Sequence, residues 1–285
     1  MADAVAARPV VTRFAPAPTG YLHLGHIVNA IYVWGVARAS SGRVLLRIED
    51  HDRQRSRAKF EQAIVDDLAW LGFVADAPLV RQSERGELYA RALARLQSQR
   101  LIYACGCARA DRYPGTCRDR NLVDGRGMTL RVRLDPTVEQ FVDLRQGPQE
   151  QRPSEQCGDM VIHDRGGNWT YQFAVTVDDL QQGVTLVIRG DDLLDSTGRQ
   201  LQLARLLGRE NPPRFFHHPL IMKSATQKLS KSDHDTGVRD LRAAGWTAER
   251  VIGQAAVMAG LLTELGDVQT ADVSSIISLS SEVDL

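Results

Sequence analysis

Arg13-Phe14-Ala15-Pro16-Ala17-Pro18-Thr19-Gly20-Tyr21-Leu22-His23-Leu24-Gly25-His26 reads as the end of a strand, a tight loop and the opening of a helix. Val10, Val11 and Phe14 are the apolar residues of the strand, two prolines and Gly20 break it, and Ile27, Ile31 and Trp34 recur at helical spacing from about Leu24. The first turn of a helix offers unpaired N–H groups and a partial positive charge, so this opening suits an anion, with His23 and His26 as added donors. A Pro/Gly loop by itself is also an ordinary turn, and its histidines are also ordinary caps. The rest of the chain has to choose between the two.

Downstream, Val44 to Ile48 is a short apolar run that delivers Glu49, Asp50 and Asp52 to the carboxyl end of a strand, the edge where α/β folds bind ligands. Helical patterns follow from about Arg57 to Gly72 and from about Glu84 to Arg100. Strands alternating with helices predict a parallel sheet of Rossmann type, spanning 9–102 in its first half. Residues 103–158 change character, with crowded cysteines, a glycine-rich turn and one alternating strand carrying Leu130, Val132 and Leu134 inward and Arg131 and Arg133 outward. They read as an insertion. The α/β pattern resumes over 159–222, with Met160 to Ile162 and Trp169 to Val175 as paired strands, Thr185 to Arg189 as a buried strand, a helix from about Gln200 and an apolar strand near Leu220 to Met222. Residues 223–285 hold a Lys/Ser loop and one or two closing helices, and the last fifteen residues are expected to fray.

The chain has 285 residues, 25% charged and 43% hydrophobic, with zero formal net charge, so no global basic signal points to nucleic acid. Arginines between Arg81 and Arg120 form at most a local patch, and a solvated helix face explains them equally well. No apolar run approaches the roughly 18 residues of a membrane span, and the short Ala-rich start lacks a signal-peptide core. A cytoplasmic protein is expected. Three of the four cysteines, Cys105, Cys107 and Cys117, are crowded together, which in a reducing compartment argues for metal before disulfide. They are one ligand short of the four that structural Zn²⁺ prefers, and Asp111 or Cys157 could supply the fourth.

His23-Leu24-Gly25-His26 and Lys228-Leu229-Ser230-Lys231-Ser232 together resemble the two motifs of class I aminoacyl-tRNA synthetases. Arg13 to Gly20, Leu46-Arg47-Ile48-Glu49-Asp50, Tyr171-Gln172-Phe173-Ala174 and Ile188 to Leu194 narrow the likeness to the glutamyl branch. The resemblance implies an α/β Rossmann-like catalytic domain with an inserted zinc-containing subdomain and a short helical C-terminal region. It implies that His23, His26, Lys228 and Lys231 serve the phosphates of ATP, with Mg²⁺ as the nucleotide's companion. It implies that Arg13, Phe14, Ala15, Pro16 and Ala17 face glutamate, that Glu49 takes the ammonium, and that Arg13, Tyr171 and Arg189 take the carboxylates. An internal ion pair between Arg189 and Glu49 is the structural alternative. By the same resemblance Tyr113 completes the zinc site of Cys105, Cys107 and Cys117. Cys157 otherwise reads as core, and His217 and His218, ahead of an apolar strand, read as structural or as approaching the adenine.

Two departures matter. Ala17 stands where the family commonly has Ser, so any contact there falls to the backbone. Only about fifty residues follow Ser232, too few for the helical anticodon-binding domain of a full glutamyl enzyme, and Val175 replaces an Asn of those enzymes. The expectation is therefore a truncated paralogue, a monomer that activates L-glutamate without tRNA and passes it to the queuosine base of tRNA(Asp). The alternatives are charging of a tRNA 3′ end, adenylate formation on another small acid, or a non-catalytic tRNA-binding module.

Overall fold

The computed structural model describes residues 8–108, 112–224, 227–228 and 237–279, with backbone only at 222–224, 227–228 and 278–279. The loop residues Leu229, Ser230, Lys231 and Ser232, and Asp111, lie outside the described residues, as does the side chain of Lys228.

Strand β1 (Val11–Phe14) leads through the proline loop into α1 (Leu24–Ala39), then β2 (Arg43–Ile48), α2 (Ala58–Leu71), β3 (Val80–Arg81) and α3 (Gly86–Ser98). β1, β2 and β3 are parallel neighbours in that order. The helix α1 is buried on nearly all sides, which its run of Ile, Val, Ala and Trp allows. Gly72, at φ 81°, ends α2 in the left-handed conformation that glycine adopts without strain.

The middle region contributes β4 (Ile102–Cys105), β5 (Thr129–Val132), β6 (Glu139–Asp143), β7 (Gly147–Gln151), α4 (Pro153–Gln156) and β8 (Met160–His163). Its strands divide between two sheets. β4, β5 and β8 form an antiparallel sheet of their own, whereas the β6–β7 hairpin joins the catalytic sheet. Arg131 does not face solvent as its alternation predicted: it is 5% exposed, its guanidinium 3.7 Å from the Tyr113 ring centre and bonded to the Asp159 carbonyl.

Residues Tyr171–Gln181 are a helix, α5, and not the second strand of a hairpin. Asp164 folds the Gly166–Gly167 turn with its side chain, but the pairing stops after the single bridge His163–Trp169. Phe173, Ala174 and Val177 then sit on one helical face against Tyr89 and Leu96. β9 (Leu186–Gly190), α6 (Thr197–Leu206) and β10 (Arg214–His218) follow. The apolar strand expected at Leu220 to Met222 is thus displaced to Arg214–His218, where Phe215 and Phe216 are the buried residues and both histidines lie within the strand. A short hairpin, β11 (Met222–Ser224) with β12 (Gln227–Lys228), precedes α7 (Val238–Ala243), α8 (Ala248–Met258) and α9 (Val273–Leu279). The last of these corrects the expected fraying for Val273–Leu279, while residues 280–285 lie outside the described residues: Val273 and Ile277 are buried against α1, and Gly35 leaves the room that Ile277 fills.

The second half-sheet runs β7-β6-β10-β9, with β10 parallel to both β6 and β9. It meets the first half beside β1, where Thr185 N donates to Val11 O at 2.8 Å. Further along, the link from β1 to β9 is a side chain, Arg13 Nη1 to the Ile188 carbonyl at 3.1 Å. The chain thus winds outward in both directions from β1, and the carboxyl ends of β1 and β9 flank the switch point where such folds bind ligands. Among the described residues no helix is long and apolar enough to cross a membrane.

Candidate active site

Two glycines and two histidines shape the nucleotide end. His23 is the N-cap of α1: its Nδ1 accepts from Gly25 N at 3.1 Å, and His26 Nδ1 accepts from His23 N at 3.1 Å. This reciprocal box commits both Nδ1 atoms as acceptors, so each neutral ring carries its proton on Nε2, where it donates. A Cβ at position 25 would lie 3.0 Å from the His23 ring, so Gly25 lets that ring close over the helix start without being displaced. A cavity of about 210 Å³ opens beside this turn, lined by His23, His26, Asn29, Asp192 and His218 among others. His218 stacks on Tyr32, and burial pushes its pKa down to about 4, so it is a neutral wall of the cavity. Gly237 pairs with His23, which ties the far flank of the Lys228–Ser232 loop to the same turn.

The amino-acid end is a buried set of charges carried by β1, β2, α5 and β9. Arg47, fully buried, lies at its centre: Nη1 reaches Asp179 Oδ1 at 2.7 Å, Nη2 reaches Glu49 Oε1 at 3.1 Å, and Nε stands 3.7 Å from Asp178. Asp179 also accepts from Arg13 Nε at 3.1 Å. Asp178 is satisfied by Gln82, Arg85 and Tyr89, which fastens α5 to α3 and its approach. Burial works against every one of these charges, yet Arg13 and Arg47 hold the Asp179 carboxyl below its ordinary range, and the three acids raise Arg47 above its own.

Two members of the set are only partly compensated. Glu49, fixed at its backbone by Glu49 N donating to Pro16 O at 3.0 Å, is pushed up by burial beyond what Arg47, Arg13 and His51 restore. Arg189 is 4% exposed and bonds neutral groups: His217 Nε2 at 2.9 Å, Gln200 Oε1 at 2.7 Å and Thr197 Oγ1 at 2.8 Å. Burial lowers its pKa, and the Tyr171 hydroxyl, raised by burial and by Glu49, lies against it. The two do not form the internal ion pair that was the alternative reading, since the salt-bridge partner of Glu49 is Arg47. Phe14 packs into the core against Trp34, 5.4 Å between ring centres, so residues 14 to 17 have little but backbone to offer a ligand.

The thiol cluster sits at the end of β4. The sulfur atoms of Cys105, Cys107 and Cys117 lie within 4.8 Å of one another. Tyr113 brings its hydroxyl to 3.4 Å from Cys105 Sγ, and Cys117 N donates to it at 2.8 Å. Although burial opposes it, hydrogen bonds from Tyr113 and Cys107 N draw the Cys105 thiol down to about 6. Cys157 points elsewhere, donating to the Pro153 carbonyl at 3.1 Å. Three thiols with an adjacent phenol are a fitting donor set for a single metal ion.

Sequence reasoning gave no role to Arg47, Asp178 or Asp179. The signal for the first was present: an arginine inside an apolar strand has to be paired. Helical spacing of Asp178 and Asp179 with Ala174 and Val175 was hidden by reading the segment as a strand.

Residues 9–112 and 109–261 match the family of class I tRNA synthetases (E and Q), catalytic domain. The chain is 40% identical to glutamyl-Q tRNA(Asp) synthetase of Symbiobacterium thermophilum, across 94% of this chain and 92% of that protein. It is 46% identical to glutamyl-Q tRNA(Asp) synthetase of Ectopseudomonas mendocina, across 78% and 77%. Its structure is similar to a glutamate tRNA ligase from Elizabethkingia meningosepticum solved in complex with its amino acid, with a TM-score of 0.79 and 25% identity, covering 94% of this chain and 64% of that one.

Proposed function

We infer, from a chain that belongs to the class I tRNA synthetases of the glutamate and glutamine type, that this protein activates L-glutamate with ATP and transfers it to queuosine in tRNA(Asp). The observation that carries the amino-acid half is the pair of partly compensated buried charges, Glu49 and Arg189. A site in which a buried carboxylate shares its cation with two other acids, and a buried guanidinium bonds neutral groups, both beside one tyrosine, is complementary to a zwitterion. Glutamate's ammonium completes Glu49. Its carboxylates complete Arg189 and the face of Arg13 that Asp179 leaves open, and a guanidinium fork favours a carboxylate over a neutral amide.

Activation joins a carboxylate oxygen of glutamate to the α-phosphorus of ATP as the bond to pyrophosphate breaks. Such a step depends on positioning and charge neutralisation. His23 and His26 donate from the helix start toward the phosphates, and Lys228 and Lys231 supply cations to the leaving group. Mg²⁺ neutralises the triphosphate when the nucleotide is bound. AMP leaves when the acceptor attacks the glutamyl carbonyl. Cys105, Cys107, Cys117 and Tyr113 would hold one Zn²⁺, which supplies no chemistry to the reaction and fastens the antiparallel sheet of the insertion.

The transfer half is tested with labelled glutamate, ATP and tRNA(Asp) with or without queuosine. Label is expected on the modified tRNA alone. Charging of tRNA(Glu) at its 3′ end with equal efficiency would overturn the assignment in favour of a conventional synthetase.

A further inference from the structure

Arg189 owes its orientation to acceptors, and one of them is conditional. Thr197 and Gln200 can always accept, but an imidazole accepts at Nε2 only when neutral and protonated on Nδ1. With the proton on Nε2, or on both nitrogens, an N–H would face an N–H. Asp143, at the end of β6, settles which form is present: its Oδ2 accepts from His217 Nδ1 at 2.7 Å and from His217 N at 3.0 Å. Its Oδ1 accepts from Arg145 N at 3.1 Å and Gln146 N at 2.9 Å, so the carboxylate itself cannot turn away. Both side chains are fully buried. The hydrogen bonds hold Asp143 ionised against its burial, while burial, with Arg189 added, keeps His217 neutral.

We propose that Asp143 and His217 are positioning residues for the amino acid: Asp143 makes His217 Nε2 an acceptor, and His217 thereby aims the unclaimed N–H groups of Arg189 at the substrate carboxylate. Three of the five N–H groups of Arg189 are taken by His217, Gln200 and Thr197, and the rest are left for Tyr171 and the ligand. The relay also gives the β6–β7 hairpin a task. It belongs to the inserted region by sequence, yet it joins the catalytic sheet and delivers Asp143 to the back of the site. The inference rests on the assignment of Arg189 to glutamate made above.

The test is tRNA-free exchange of pyrophosphate into ATP, measured at varied glutamate and at varied ATP. Asp143→Asn leaves one oxygen for the four N–H groups that the carboxylate accepts, so the proton is no longer fixed on Nδ1 and KM for glutamate should rise about 10- to 100-fold. KM for ATP and kcat should stay within about threefold. His217→Gln keeps a carbonyl oxygen near the Nε2 position and should hold KM for glutamate within several-fold of wild type. The double variant should be no worse than His217→Gln, because a glutamine has no tautomer to set. An unchanged KM in Asp143→Asn overturns the relay, as does equal damage to kcat and both KM values in the two single variants, the mark of a merely structural role. If Asp143→Asn fails to fold, His217→Gln against His217→Leu carries the same test, with only leucine expected to raise KM for glutamate. Wild-type protein without glutamate-dependent exchange would instead overturn the functional reading, and the inference with it.

Discussion

The amino-acid end and the thiol cluster both gather ionisable groups from distant parts of the chain, and they hold them by opposite means. Around Arg47 the fold supplies both signs: Asp178 and Asp179 each meet a second arginine of the same chain, whereas Glu49 has only its share of Arg47 and Arg189 bonds neutral groups. At the end of β4 the groups are all of one kind, three thiols and a phenol, with Arg131 beside Cys105. An imbalance of two opposite charges suits a zwitterion, whereas an imbalance of one sign suits a cation. The first region should therefore be rigid before its ligand arrives, and the second should depend on what it binds.

The largest effect is expected from removing the shared cation. Arg47→Met leaves Glu49 and Asp178 buried without their central partner, which should destabilise the fold by about 3–5 kcal/mol. That corresponds to a fall of about 10 °C in melting temperature, measured by calorimetry, with exchange activity lost alongside. His26→Ala should lower kcat for exchange about 100-fold, as loss of a positioned donor does, and leave KM for glutamate unchanged.

Glu49→Gln should separate function from stability. KM for glutamate should rise about 10- to 100-fold through loss of the ammonium partner. Because burial raises the Glu49 pKa, this carboxyl favours the fold below its ordinary value of 4.5 and loses that favour as pH rises through the raised value in the fold. The glutamine variant lacks this loss, so its denaturant midpoint should fall less than wild type's between acid and neutral pH. A variant that melts early at neutral pH would place Glu49 with the structural set.

The smallest effect belongs to the other region. Cys117→Ser, or chelation of wild type, should reduce metal content from one zinc per chain by elemental analysis and lower the melting temperature by a few degrees. KM for glutamate should not move. If it does, the two regions are coupled and the contrast between them fails.

Much of this was legible in residue patterns, and the failures share a cause. The prolines, Gly20 and Gly25 place the strand, loop and helix start correctly, because that signal is local. The apolar run from Trp169 to Val175 fits a strand as well as a helix until Asp178 and Asp179 are included, and short runs carry that ambiguity. Arg189 and Glu49 could be selected by motif, but Arg13 meets Asp179 across 166 positions and His217 meets Asp143 across 74. No periodicity reports contacts at such separations. The helix at Val273–Leu279 was missed for a simpler reason: Val273, Ile276 and Ile277 make a helical stripe too short to stand out among polar neighbours.

The claim that joins these observations is that the buried pair Glu49 and Arg189 forms a preorganised site for glutamate that needs no tRNA to act. Pyrophosphate exchange into ATP, run on the purified protein without tRNA and with glutamate, glutamine or aspartate, measures it directly. Exchange with glutamate is expected far above that with the other two. No exchange with glutamate in the absence of tRNA, or equal exchange with glutamine, would contradict it.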